Sequence, residues 1–124
     1  LEIVIIRRGH LRWRTGDQEE EVTPGMVYFT LPGQIHGSVR DFEPGHRWTF
    51  AVISARPGGN GQPVWHKDLP FSAVEAAKIS SALVKAKRHA YPASSGLSPL
   101  LEELVRETRA RGSLPRAKLR HLAA

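Results

Sequence analysis

The sequence predicts a mainly β domain, a barrel or sandwich of short strands, followed by two to three α-helices. Two observations carry this prediction. In residues 1–70, short apolar runs recur at a spacing of about ten residues, with Gly and Pro between them. In residues 71–124, apolar residues are instead spaced by three and four positions, which is the helical period. We therefore expect a β-barrel over residues 1–70 and a helical segment over residues 71–124.

The predicted strands of the first half differ in how far they are covered. Residues 1–6 are nearly continuous in apolar side chains, which is typical of a strand covered on both faces. Residues 11–14 alternate apolar and basic, as a half-buried strand does. Further strands are predicted at 26–31, 47–54 and 64–66. The turns are predicted at Gly9, Thr15-Gly16-Asp17, Pro24-Gly25, Pro32-Gly33 and the Gly- and Pro-rich loop 56–63.

The first helix is predicted from a capping box. Ser72 is followed three residues later by Glu75, so each side chain can bind the backbone N–H of the other residue. The helix should run to about Ala90 and end before Pro92. Its apolar stripe consists of Ala76, Ile79, Leu83, Ala86 and Ala90.

The second helix is predicted to begin with Ser98 as its N-cap and Pro99 at its first position, and to end at Gly112. Its buried stripe consists of Leu100, Leu101, Leu104, Val105 and Thr108. The sequence Ser113-Leu114-Pro115 then predicts the start of a third helix.

Composition excludes several classes of site. Cysteine is absent, which excludes disulfides, Cys-based zinc sites and a thiol nucleophile. No apolar run approaches the roughly 18 residues of a membrane span, and no signal-peptide pattern is visible, so we expect a cytoplasmic protein. The net charge of +6 lies wholly in residues 71–124, which carry ten Lys and Arg against four Glu. This basic half indicates either contact with nucleic acid or a solvated helix face.

The two ends of the chain indicate a longer protein. Leu1 stands inside an apolar run, and Ala124 stands inside a helical pattern. We expect further residues on both sides.

The stretch from Gly25 to His36 is the most informative motif. A Gly turn, an apolar strand, the turn Pro32-Gly33 and His36 resemble the second motif of the cupin superfamily. Glu2 and Gly9 have the spacing that ends the first cupin motif. The resemblance implies a double-stranded β-helix (jelly-roll) barrel with His36 turned towards its interior near Glu2.

The residues around this turn make the resemblance more specific. Leu-Pro-Gly-Gln-Ile-His at 31–36 and the aromatic strand at 48–50 look like the sensor domains of the AraC family of bacterial transcription regulators. The resemblance implies a barrel that binds a small effector, often a sugar, and helices that form a homodimer. It also implies that DNA is bound by a C-terminal helix-turn-helix domain, which we expect after Ala124. The His-x-His of the first cupin motif would lie before Glu2.

Four residues are candidates for the effector site. Glu2 and His36 suit either an effector pocket or, as imidazole and carboxylate, two ligands of a metal. Trp13 and Trp48 suit either a platform for a sugar ring or the core. Because two ligands are few for a metal centre, we expect no metal and no cofactor. A metal-dependent cupin enzyme, an isomerase or a dioxygenase, is the alternative function.

Other polar residues are assigned to the surface. Arg12 and Arg14 suit either an acidic effector or the wet face of a strand. The remaining histidines lack metal-ligand spacing, and we expect them all on the surface: His10, His46, His66, His89 and His121.

The helical stripes predict a homodimer. One barrel face cannot easily cover both stripes, and a two-fold dimer is the commonest closed assembly. The residues expected at the dimer interface are Ile79, Leu83, Leu100, Leu101 and Leu104.

Overall fold

The structure is a computed structural model that describes residues 1–40 and 44–111, without the side chains of Thr108 and Arg111. These ranges contain nine strands and two helices. The strands are β1 (Glu2–Arg8), β2 (Leu11–Thr15), β3 (Gln18–Val22), β4 (Met26–Thr30), β5 (His36–Ser38), β6 (Arg47–Val52), β7 (Ala55–Pro57), β8 (Pro63–Trp65) and β9 (Ala90–Pro92). The helices are α1 (Ala73–Lys85) and α2 (Leu97–Arg111). The third helix predicted from Ser113, the stop at Gly112 and the surface position of His121 lie outside the described residues.

The strands form antiparallel sheets. One sheet has four strands in the order β6-β1-β4-β9, and a second has three in the order β3-β2-β5. Strands β7 and β8 form a hairpin that closes in the Gly-rich turn between them. The mainly β architecture followed by helices is the fold class that the sequence predicts.

The core lies between the two larger sheets. The four-stranded sheet contributes the side chains of β1, β4 and β9, and the three-stranded sheet those of β2 and β3. The buried cluster consists of Val4, Ile6, Leu11, Val22, Tyr28 and Ala90. Trp13, Met26 and Trp48 pack against this cluster and remain partly exposed. Since β1 alternates, Glu2 shares the inner face with Val4.

Helix α2 lies against the other face of the four-stranded sheet. Arg7 connects the two elements, because its Nη1 is 2.5 Å from Glu102 Oε1 and its Nε donates to Thr49 Oγ1 at 2.8 Å. Leu101 is the buried apolar residue of this helix, and Ile5 is buried in the sheet beside it. The helix begins at Leu97, two residues before the first position predicted at Pro99.

Helix α1 begins as the sequence predicts. Ser72 is its N-cap, and both hydrogen bonds of the capping box with Glu75 are present. The prediction that the helix continues to about Ala90 is wrong, since it ends at Lys85. Ala90 instead opens β9 and pairs with Tyr28 of β4. The apolar residues of this segment have helical spacing, but pairing with the edge of β4 determines its conformation.

Strand β9 is held by a carboxylate from the opposite sheet. Glu20 accepts hydrogen bonds from Arg88 Nε at 3.1 Å, from His89 N at 2.7 Å and from Ala90 N at 3.3 Å. Its side chain is only 11% exposed. The segment between the two helices is consequently part of the β structure. Neither helix in the described ranges combines the length and apolar content that crossing a bilayer requires.

Candidate functional site

Glu2 and His36 meet on the inner face of the structure. His36 Nε2 lies 3.1 Å from Glu2 Oε2, although the two residues are 34 positions apart. His36 is exposed as a whole residue, but its side chain is 27% exposed and that of Glu2 is 28% exposed. The pair is therefore neither buried in the core nor free on the surface, and a solute can reach it.

The turn before β5 sets the position of this imidazole. Gly33 has φ +81°, a backbone conformation that favours glycine, so the chain reverses directly after Pro32. Gln34 closes the turn, since its side-chain oxygen accepts from Leu31 N at 2.8 Å. His36 Nδ1 then donates to Gln34 O at 2.8 Å. Both ring nitrogens of His36 thus face oxygen atoms, Nδ1 the carbonyl of Gln34 and Nε2 the carboxylate of Glu2.

Aromatic rings line the inner face beside this pair. The ring of Trp13 stacks on that of His36 with centroids 6.4 Å apart, and it lies 5.7 Å from the ring of Tyr28. The Tyr28 hydroxyl is hydrogen-bonded to Thr15 Oγ1. Burial raises the pKa of Tyr28 well above its ordinary range, and the carboxylates of Glu20 and Glu2 raise it further. Tyr28 therefore remains a neutral phenol beside the site.

Strand β6 supplies an apolar wall to the same face. The antiparallel register places Val52 directly beside Glu2, and Phe50 beside Val4. Phe50 is 57% exposed and Val52 is 70% exposed, although both share the inward face with core residues. Large apolar side chains that stay accessible next to a polar pair are typical of ligand sites.

Arg12 and Arg14, the candidate ligands of an acidic effector, lie outside this site. Arg12 and Arg14 occupy the opposite face of β2 from Trp13, by strand alternation. Arg14 Nη2 binds Glu19 Oε1 at 2.6 Å, across the strand pair. The ionisable groups described above on the inner face are thus the carboxylates of Glu2 and Glu20, the imidazole of His36 and the phenol of Tyr28.

In residues 1–40 and 44–111, no three His, Asp or Glu side chains cluster closely enough to hold a metal ion. Glu2 and His36 form a pair only.

The structure brings three of the four predicted site residues into contact, since His36 lies against both Glu2 and Trp13. Trp48 pairs with Ile6, four positions along β1 from Glu2, and packs on the core cluster, as Trp13 also does. Sequence reasoning missed Phe50 as a wall residue. The sequence places Phe50 on the same strand face as Trp48. It does not show that the ring of Phe50 stays exposed to solvent in the folded chain.

The prediction that the remaining histidines all lie on the surface is wrong at two positions. His89 is half-buried, and its Nδ1 is 3.0 Å from the carbonyl oxygen of Phe29. His46 is half-buried as well, because its ring rests on Gly9, which has no side chain.

The residues predicted at a dimer interface differ in exposure. Leu101 is buried in its own chain at 7% exposure, whereas Leu100 is 40% exposed. The other three are half-buried, namely Ile79, Leu83 and Leu104.

Comparison with known proteins gives one match. A family model described as the AraC-like ligand binding domain matches residues 1–62, half of the 124-residue chain. The matched stretch contains β1 to β7. It includes all the inner-face residues described above, except those of β9. No curated protein and no solved structure matches the chain significantly.

Proposed function

The chain belongs to the family of AraC-like ligand-binding domains, and from that premise we propose that it senses a small effector at the Glu2–His36 pair. Family membership makes it a ligand-binding domain of a regulator of the AraC type. The finer proposal concerns the site and the chemical class of the effector, for which we propose a sugar.

One observation carries the proposal. The Glu2–His36 contact of 3.1 Å lies at the open end of the inner face, between the ring of Trp13 and the exposed side chains of β6. Polar groups that converge beside accessible apolar surface define most small-molecule sites. A core contact would instead be closed to solvent.

The chemistry of these groups suits a sugar. A pyranose or furanose ring has apolar C–H faces and a rim of hydroxyl groups. The rings of Trp13 and Phe50 offer aromatic faces for the C–H groups. Glu2 accepts hydrogen bonds from hydroxyl groups, and His36 can donate to them. Because Arg12 and Arg14 lie on the other face, an acidic effector has less support.

Tryptophan fluorescence tests the proposal directly. The chain is titrated with arabinose, xylose, galactose and glucose while the emission is recorded. We expect saturable quenching or a spectral shift with at least one sugar, because the ring of Trp13 stacks on His36. Glu2→Gln should weaken that binding by about tenfold, the loss expected when a hydrogen bond to a charged group is removed.

A matched pair of tryptophan variants localises the signal. Trp13→Phe should abolish most of the response, whereas Trp65→Phe should retain it. Trp65 is the control because its indole N–H donates to Ser80 Oγ at 2.8 Å, on the α1 side of the β7–β8 hairpin. No response to any of the four sugars, or an equal loss in the two variants, would contradict the proposed sugar site.

The family also guides the proposal for assembly and location. We propose that the chain forms a homodimer through its helices and acts in the cytoplasm. Contact with DNA would be made by a helix-turn-helix domain of the regulator and not by the residues described here.

The alternative function, a metal-dependent cupin enzyme, depends on the same pair of residues. Catalytic zinc sites use three protein ligands. Elemental analysis of the purified protein separates the two functions, since a stoichiometric metal that is lost in Glu2→Gln would favour the enzyme.

A further inference from the structure

A second polar pocket lies at the opposite end of β1 from Glu2. Its volume is about 280 Å³, and its polar lining consists of His10, Arg12, Glu21, Ser38, Arg40 and His46. It adjoins the effector site along β2 and β5, since Arg12 precedes Trp13 and Ser38 lies two positions after His36. Its lining nevertheless includes none of the residues of the effector site proposed above.

The guanidinium of Arg12 forms two long ion pairs with the carboxylates around it, but at distances too great for a hydrogen bond. Its nitrogens lie 4.0 Å from Glu19 and 3.9 Å from Glu21, beyond hydrogen-bond distance. Arg14 holds Glu19 at 2.6 Å instead. The N–H donors of Arg12 are therefore available to a ligand in the pocket.

A second guanidinium faces the same pocket. Arg40 is exposed and forms no ion pair with any residue of the described ranges. Only Glu21 brings a carboxylate to the described lining, against Arg12 and Arg40. The described lining thus carries two guanidinium groups against one carboxylate.

The adjoining strand ends raise the positive charge further. Arg8 and Arg47 are register partners at the ends of β1 and β6, next to a β-bulge. Like charges directly opposite each other on two strands repel. Four arginines therefore surround this end of the fold, and a bound anion would relieve their repulsion.

His46 provides a buried nitrogen that lacks a partner. Its Nδ1 is inaccessible to solvent and forms no hydrogen bond within residues 1–40 and 44–111. Buried polar atoms are nearly always hydrogen-bonded. His10 lies beside it, with ring centroids 6.2 Å apart. Two imidazoles and two guanidinium groups form a donor-rich set with few acceptors.

We propose that this pocket binds a phosphate group, either as free phosphate or as part of a small phosphate ester. A phosphate group offers several acceptor oxygens and a charge near −2, which matches several convergent donors. The pocket's volume of about 280 Å³ suits a small anion rather than a long polyanion.

Calorimetric titration of the 124-residue chain tests the proposal. Inorganic phosphate and glycerol phosphate are titrated separately, at constant ionic strength set with sodium chloride. Saturable binding of either anion is expected. Tighter binding of glycerol phosphate identifies an ester as the ligand, and equal or tighter binding of phosphate identifies the free ion. No saturable binding of either anion would overturn the proposal.

Arginine variants separate a built site from bulk charge. Arg40→Gln and Arg12→Gln should each weaken binding about tenfold, as expected for loss of a charge-assisted hydrogen bond. Arg56→Gln is the matched control, since Arg56 is exposed on β7 and lies outside this pocket. Both test residues are exposed, so folding should be retained. Equal weakening in Arg56→Gln would contradict a specific site.

A spectroscopic readout locates the ligand. In histidine side-chain NMR spectra, phosphate should shift the Nδ1 resonance of His46 and leave His66 unchanged. His66 is suited as the control because it is 51% exposed and lies beside Asp68. Shifts at both histidines, or at neither, would count against binding in this pocket.

Discussion

The imidazole of His46 occupies the space that a side chain at Gly9 would fill. A Cβ placed on Gly9 would overlap Cδ2 of the His46 ring, and Gly9 itself has φ +81°. Because Gly9 has no side chain, the ring of His46, which is 37 positions along the chain, can pack against it.

Replacing Gly9 by alanine should be strongly destabilising. Both the positive φ, about 1–2 kcal/mol, and the displaced ring, about 1–3 kcal/mol for overpacking, contribute to the loss. Gly25→Ala is the control, because Gly25 has φ +87° and no neighbouring atom within 4 Å of the added Cβ. Urea unfolding should show a larger loss for Gly9→Ala. Equal losses would mean that the His46 ring moves aside freely.

Glu20→Gln should loosen β9. The amide retains one acceptor oxygen but loses the charge that three donors share, so we expect a loss of about 1–2 kcal/mol in the free energy of unfolding. The neighbouring Glu21→Gln should change it by less than about 0.5 kcal/mol, since exposed ion pairs contribute little. Chemical denaturation followed by circular dichroism checks both. Similar losses in the two variants would refute a specific role for Glu20.

Tyr28 should make stability fall at alkaline pH. Its pKa is raised in the folded state, so the folded chain keeps a proton that the unfolded chain loses above about pH 10. This contribution is fully present below that pH and declines above it, by about 1.4 kcal/mol per pH unit. Tyr28→Phe should remove this part of the decline in urea unfolding measured across alkaline pH. Tyr91→Phe is the control that should retain it, and a decline that is unchanged in Tyr28→Phe would refute the assignment.

The proposed dimer should depend on Leu100. A charged side chain there would place a carboxylate in the interface, so Leu100→Glu should convert a dimer to a monomer while the β-sheet signal persists. Val64→Glu is the matched control, because Val64 on β8 is also 40% exposed. Sedimentation velocity measures both. A wild-type chain that sediments as a monomer, or a dimer that survives the change at Leu100, would contradict the proposed interface.

Local patterns in the sequence predict much of this fold. Alternation and turn residues locate β1, β2 and β4 to within two residues, and the capping box at Ser72 and Glu75 locates the start of α1. These boundaries depend on short-range chemistry, which one sequence contains. The proximity of Glu2 and His36, 34 positions apart, was instead implied by the resemblance to the cupin motifs.

Long-range packing decides the features that were missed. Ala90 has helical spacing from Leu83 and Ala86, but the open edge of β4 and the carboxylate of Glu20 give it a strand conformation. His46 is half-buried because of Gly9, and no local pattern connects these two residues. Contacts between distant segments cannot be derived from periodicity.

Strand β9 protects the β structure from aggregation. It is three residues long and ends in Pro92, two properties by which proteins keep a sheet edge from pairing with another molecule. Shortening the protein to residues 1–70 would remove this strand and expose the hydrogen-bonding edge of β4, which carries Tyr28 and Phe29. The β part should therefore self-associate on its own, and the helical half acts as an intramolecular solubiliser of the sensor.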